Sequence, residues 1–141
     1  MATPSANEVA TVFEWLQTFH RHGDALSPEL WVKTFYAPNC TMQFLGQSPV
    51  TGHAAIIAHF QRQFSGLESM KHDIGHVDIT PERIYQEATV TYVVKGDPER
   101  RPIEVQGLAV FGKGVWDSQM KFFTVYLDLK PLQDRMREVQ G

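Results

Sequence analysis

Apolar positions in the first half of the chain recur every three or four residues. Val9, Val12, Phe13, Leu16 and Phe19 fall on one helical face, with Trp15 beside them. Ser5 and Glu8 have the form of a capping box at the start of this helix, and Gly23 closes it. Ser27-Pro28-Glu29 opens a second helix with a capping hydroxyl, a proline and an acid in the first turn. It presents Leu30, Trp31 and Phe35 before Ala37-Pro38 stops it. Cys40 to Leu45 reads as a short strand and Gly46 to Val50 as a loop. Thr51-Gly52 then opens a third helix, with Ile57, Phe60 and Phe64 on one face, which ends at Gly66.

Beyond Gly66 the texture changes to strands. Turn residues divide the rest into Met70 to Ile79, Ile84 to Lys95, Pro102 to Phe111 and Val115 to Leu129. Turns this short predict antiparallel neighbours. Strands of ten or more residues reach about 33 Å, too long to stay flat in a small domain, so the sheet should bend. Ala88, Val90, Tyr92 and Val94 share one face, while Glu87, Thr89, Thr91 and Lys95 share the other. One covered and one wetter face is what an antiparallel sheet with helices on one side requires. The pattern predicts a single α+β domain over residues 1–141, a cone made by a curved antiparallel sheet packed on three helices. Leu132 to Val139 reads as a short last helix, with Leu132, Met136 and Val139 over the mouth of the cone or against a neighbouring subunit.

Composition sharpens this picture at one point. Aromatic residues make up 11% of the chain, enough either to fill a core or to line a pocket for a small organic molecule. Net charge is −3 with no run of Lys or Arg, which predicts neither nucleic-acid nor membrane binding. No apolar run is long enough to span a bilayer, and Met1 to Ser5 lacks a signal pattern, so a soluble cytoplasmic protein is expected. Cys40 is the sole cysteine, which excludes an intramolecular disulfide and a zinc site built on thiolates. It reads as a small buried residue at the start of its strand.

The candidate chemistry is that of proton transfer. Tyr126 and Asp128, two apart on the last strand, share a face about 6.8 Å apart. If that face is the inner one, the carboxyl lies among apolar walls and its pKa rises, suiting a general acid or base. Tyr126 could then bond a carbonyl or a developing oxyanion. Facing outward, Asp128 would instead cap the last helix or pair with a surface Arg. His72 and His76 also share a face, but stand about 13 Å apart on a strand, too far to chelate one metal. Glu104 and Gln106 face opposite to Ile103, Val105 and Ala109, and fit the outer face better than a polar pocket floor. Tyr92 and Tyr36 are hydrogen-bonding candidates in an aromatic wall of Trp15, Phe19, Trp31, Phe35 and Phe60. His20, His22, His53 and His59 read as surface or packing residues. With no phosphate-binding glycine loop, nucleophile elbow or metal-ligand cluster, no metal or cofactor is predicted.

The order helix-helix-strand-helix followed by four long strands resembles the NTF2-like superfamily, especially its SnoaL-like polyketide-cyclase branch. The landmarks are Trp31 to Pro38, Cys40 to Phe44, Gly52, Met70-Lys71-His72-Asp73 and the closing run Val125-Tyr126-Leu127-Asp128-Leu129. That ending is similar to those of limonene epoxide hydrolases and related enzymes, whose acid near the end of the last strand points into the pocket. The resemblance therefore implies Asp128 as the group that moves a proton, His72 as its partner, and Tyr126 or Tyr92 polarising a carbonyl. Tyr36, Trp31, Trp15, Phe19, Phe60, His76 and Glu104 would contact the substrate. It also implies a homodimer joined through the outer sheet face. The substrate expected is a small hydrophobic oxygenated metabolite, such as a polyketide or terpenoid intermediate of secondary metabolism, which is isomerised, cyclised or dehydrated. The Arg-x-Asp of limonene epoxide hydrolases has no match between Ile84 and Lys95, which weighs against epoxide hydrolysis. Where ketosteroid isomerases place an acid after the second helix, this chain has Ala37-Pro38-Asn39. Scytalone dehydratase is similar in its use of Tyr and His. Two other readings are a non-catalytic module holding a ligand in the same cone and a dimerisation domain plugged by Trp15, Phe60 and Phe64.

Overall fold

Local signals set the helix starts in the computed structural model, which describes residues 3–141. Glu8 N–H donates to Ser5 Oγ at 3.1 Å and Ser5 N–H donates to Glu8 Oε1 at 2.9 Å. This reciprocal cap satisfies two amide donors that the first turn would otherwise orphan. Helix α1 (Ala6–Gly23) follows and buries Val12, Leu16, Phe19, His20 and Gly23 along one stripe. Helix α2 (Pro28–Phe35) starts on its proline, although the Ser27 side chain makes no cap. Helix α3 (His53–Phe64) buries Ile56, Phe60 and Phe64.

Strand β1 (Tyr36–Phe44) begins four residues before Cys40. Pro38 does not end the element in a loop. It lies between Tyr36 and Thr41, where the register with the neighbouring strand shifts and the missing proline N–H is tolerated. Strand β2 (Val50–Thr51) is a two-residue edge. The long strands are β3 (Leu67–Ile79), β4 (Ile84–Val94), β5 (Ile103–Phe111) and β6 (Met120–Leu127), with α4 (Lys130–Gln140) last. Strand β6 is shorter than its apolar run suggests, because the Asp117 carboxylate accepts the Gly114 N–H at 2.8 Å and holds the preceding residues in a turn.

The six strands form one curved, unclosed sheet in the order β2-β1-β6-β5-β4-β3. All neighbours are antiparallel except β1 and β6, which run parallel and are joined through β2, α3 and the three other long strands. The register Tyr92↔Ile103, Val90↔Val105 and Ala88↔Gly107 carries the inward face from β4 to β5. Gly107↔Leu127, Ala109↔Val125 and Phe111↔Phe123 carry it on to β6. This face and the three helices enclose a single apolar cluster. Phe19 is its hub, with ring centroids of Trp31, Trp15 and Phe111 at 5.0, 5.2 and 5.4 Å.

Helix α4 is pinned to the β4–β5 turn. Arg135 donates to both oxygens of Asp97, at 2.7 and 2.9 Å, and these bonds hold the Asp97 carboxyl down at about 2. Leu132 is buried, and Met136 packs over Gly66 beside the pocket's Gln63. No helix among the described residues is long and apolar enough to cross a membrane.

Candidate active site

The C-terminal turn of α1 places His20 and Asp24 one turn apart, facing β3 and β4. The Asp24 carboxylate takes two hydrogen bonds from one residue of β3. The His72 backbone N–H donates to Oδ2 at 2.9 Å, and His72 Nδ1 lies 2.7 Å from Oδ1. An ionised carboxylate can only accept, so the proton between them sits on Nδ1, and in the neutral form of the ring the lone pair is on Nε2. The side chains of His72 and Asp24 are 20% and 18% exposed, sheltered from bulk water but open on one side.

The ring of His20 stacks on that of His72, with centroids 4.3 Å apart and planes 19° from parallel. His20 Nε2 lies 2.9 Å from Gln86 Oε1 on β4. Burial, helped by the neighbouring His72, pushes His20 down to about 3, so it stays neutral across ordinary pH. Burial likewise raises the Tyr92 phenol above its ordinary value, and the charge of Asp24 adds to this. Tyr92 therefore remains a proton donor.

His20, His72, Gln86 and Tyr92 line a pocket between sheet and helices. Phe19, Trp31, Phe44, Phe60, Phe64 and Leu127 supply apolar walls, and Ala88, Gly107 and Ala109 form a floor of small side chains. The cavity has a volume of about 60 Å³ and opens to solvent at its mouth. Gly23 keeps one wall in place. A Cβ there would lie 2.9 Å from two atoms of the Trp31 ring, whose Nε1–H is already committed to the Phe19 carbonyl at 2.9 Å. A Gly23→Ala chain is expected to lose about 1–3 kcal/mol of stability through this overpacking. Urea unfolding measures it, and an unchanged midpoint would show that Trp31 moves freely.

Several expected site residues lie elsewhere. Asp128 is exposed, and its Oδ1 accepts the Lys130 N–H at 3.0 Å, holding the entry to α4. Tyr126 is 46% exposed and pairs with Leu108 on the outer face of the sheet. The reason is parity: Phe123, Val125 and Leu127 take the inward positions of β6, so Tyr126 and Asp128 take the alternate ones. His76 is exposed and bonded to Asp78 at 2.9 Å. The bulge between Ile74 and Val77 puts Val77 opposite Gln86 and breaks the shared face expected for His72 and His76. Glu104 lies exposed on the outer face, as its alternation favoured.

His72, Tyr92, Trp31, Phe19 and Phe60 do line the pocket. Tyr36 is wholly buried behind it with its hydroxyl unpartnered, and Trp15 stands at the far end of the core, bonded to the Ser118 carbonyl. His20, read from sequence as surface or packing, is a pocket residue instead. Cys40 is fully buried, and burial pushes its thiol up to about 12, which makes it inert. Among the described residues no group of three or more His, Cys, Asp or Glu side chains is placed to hold a metal ion.

The family model of the SnoaL-like domain matches residues 12–113. The chain belongs to the SnoaL-like family. Solved structures agree on the fold of this SnoaL-like domain. A protein from Jannaschia sp. CCS1, provisionally described as a SnoaL-like polyketide cyclase, has a TM-score of 0.73 at 18% identity, over 100% of this chain and 99% of that one. PrhC from Penicillium brasilianum NBRC 6234 has a TM-score of 0.75 at 13% identity, covering 92% and 88% of the two chains. A protein from Catenulispora acidiphila DSM 44928 with a ketosteroid isomerase-like fold, solved with trimethylamine, has a TM-score of 0.73 at 16% identity, covering 88% and 92%. No curated protein matches the chain by sequence.

Proposed function

We propose that this SnoaL-like domain is a cofactor-independent proton-transfer enzyme acting on a small hydrophobic oxygenated compound. The supporting observation is the His72–Asp24 pair, with Nδ1 at 2.7 Å from the carboxylate and the His72 ring lining a pocket with mostly apolar walls. In this reading His72 Nε2 takes a proton from the carbon next to a carbonyl. The C–H electrons form a C=C bond and the carbonyl π electrons move onto oxygen, giving an enolate. Tyr92, kept protonated, donates a hydrogen bond to that oxygen. The imidazolium, stabilised by Asp24, then returns the proton to another carbon, which isomerises the compound, or to a β-hydroxyl, which leaves as water. An enolate held against the aromatic walls could instead close a ring on a second carbonyl carbon of the same molecule, whose π electrons move onto its oxygen, and the resulting alkoxide takes the proton from the His72 imidazolium. The substrate in this reading is a polyketide or terpenoid intermediate of secondary metabolism, which the apolar pocket walls and the provisional description of the Jannaschia protein support. We also propose that the domain pairs through its outer sheet face, where Tyr126 is exposed.

The test is exchange of the α-protons of 1-indanone in D₂O, followed by NMR. Saturable exchange faster than buffer is expected. Exchange no faster than buffer, for 1-indanone and for other small enolisable ketones, would favour a non-catalytic ligand-binding role.

A further inference from the structure

Strand β4 carries a second polar group into the cavity that the proton-transfer scheme leaves unused. Gln86 is 1% exposed and lines the pocket. Its Oε1 faces His20 Nε2 at 2.9 Å, and a carboxamide oxygen can only accept, so neutral His20 carries its proton on Nε2. In this arrangement the amide NH₂ points away from His20. The Gln86 NH₂ makes no hydrogen bond among the described residues and keeps both of its N–H donors available. Unlike the Tyr36 hydroxyl, it is not sealed within the core but opens on the cavity.

The surroundings leave room for an oxygen there. Ala109 is the register partner of Gln86, and Ala88 and Gly107 are the next inward pair. A Cβ on Gly107 would lie 2.7 Å from Leu127 Cδ1, so this floor stays low. No Lys, Arg, Asp or Glu lines the pocket, and the buried Lys113 is spent on the carbonyls of Gly114 and Val115 elsewhere. The Asp24 carboxylate, hydrogen-bonded to the pocket residue His72, disfavours an anion there.

We infer that the Gln86 carboxamide is a recognition subsite for a second, neutral acceptor oxygen, so that the pocket takes uncharged compounds with two oxygen functions and disfavours carboxylates. The stack of His20 on His72 keeps Gln86 no farther from His72 than one ring and one hydrogen bond, within the span of a small molecule. The assignment of the first oxygen to the His72 end rests on the proposed proton transfer; the recognition by Gln86 is measured separately.

Calorimetric binding of 1-indanone, 3-hydroxymethyl-1-indanone, whose hydroxyl cannot be eliminated, and indane-1-carboxylate to the full chain tests this. The hydroxyketone is expected to bind about tenfold more tightly than the ketone, the yield of one buried hydrogen bond, and the carboxylate least. In Gln86→Leu the advantage should collapse to within about twofold while binding of 1-indanone persists. Gln86→Met, closer in shape, should show the same collapse and serves if the leucine variant does not fold. A His72→Gln chain should keep the advantage, so failure of proton transfer and failure of recognition give different results. Equal binding of the two ketones, a preference that survives in both Gln86 variants, tightest binding of the carboxylate, or no binding of any probe would overturn the inference.

Discussion

A His72→Gln chain is expected to exchange the α-protons of 1-indanone roughly 10²–10⁴-fold more slowly than the unaltered protein, the usual contribution of a positioned general base. Glutamine can still donate an amide N–H toward Asp24 Oδ1, and its backbone N–H still reaches Oδ2, so the junction of α1 and β3 should persist. What disappears is the basic ring nitrogen. Asp24→Asn tests the other half of the pair. An asparagine amide would donate to Nδ1, driving the ring proton to Nε2 and removing the lone pair from the pocket side. Its exchange rate should fall nearly as far, with little change in the concentration of ketone needed for half-saturation. Asp128→Asn and Tyr126→Phe should exchange at the unaltered rate, since both side chains lie outside the pocket. Full exchange in His72→Gln, or loss of exchange in Asp128→Asn, would remove the basis of the proposed mechanism.

Acid should destabilise the domain well before its carboxylates titrate. His20 has a pKa of about 3 in the fold, against 6.5 for the ordinary imidazole. The unfolded chain therefore binds a proton between these values that the folded chain refuses. The contribution of neutral His20 is fully present above pH 6.5 and declines as pH falls toward 3, at up to about 1.4 kcal/mol per pH unit. Burial is the main cause; protonation would also set a cation against His72, and the Gln86 oxygen and the Asp24 carboxylate offset this only in part. His59, lowered by its own burial, acts in the same direction. Asp97 adds to the loss only lower, since its depressed carboxyl titrates between the ordinary value of 3.8 and about 2. Urea unfolding between pH 7 and pH 5 should show the slope, and a His20→Gln chain should show a much shallower one. Parallel curves for the two proteins would mean that His20 takes up its proton inside the folded domain.

Much of the architecture was legible because it depends on short-range pattern. The Ser5–Glu8 cap, the glycine punctuation and the period-two alternation of Ala88, Val90, Tyr92 and Val94 each act within a few residues. The site was less so, and two of its errors had a visible signal. Phe123, Val125 and Leu127 alternate on β6 as clearly as the β4 residues do, which already turns Tyr126 and Asp128 outward. His20 follows Leu16 by four and Phe19 by one, inside the buried stripe of α1, and Gln86 shares the inward parity of Ala88 and Tyr92. The resemblance of the chain's ending to other enzymes outweighed these local patterns. The bulge at Gly75-His76 had no comparable signal, because a strand insertion shows only when the partner strand is known.

Sequence alone determined which elements form, which face of each is apolar, and that the sum is a bent sheet carrying helices, because backbone propensity and burial act residue by residue. It also determined the raw chemistry available: histidines, carboxylates, phenols and amides without a metal-ligand cluster. Tertiary structure alone decided the parallel pairing of β1 with β6 and the meeting of Asp24 with His72, 48 residues apart. Hydrogen bonds of this kind are set by how α1 lies across β3, a distance and an angle that no local pattern encodes. The carboxylate that meets the pocket histidine is therefore the one that ends the first helix, while the one that ends the last strand holds the start of the next helix.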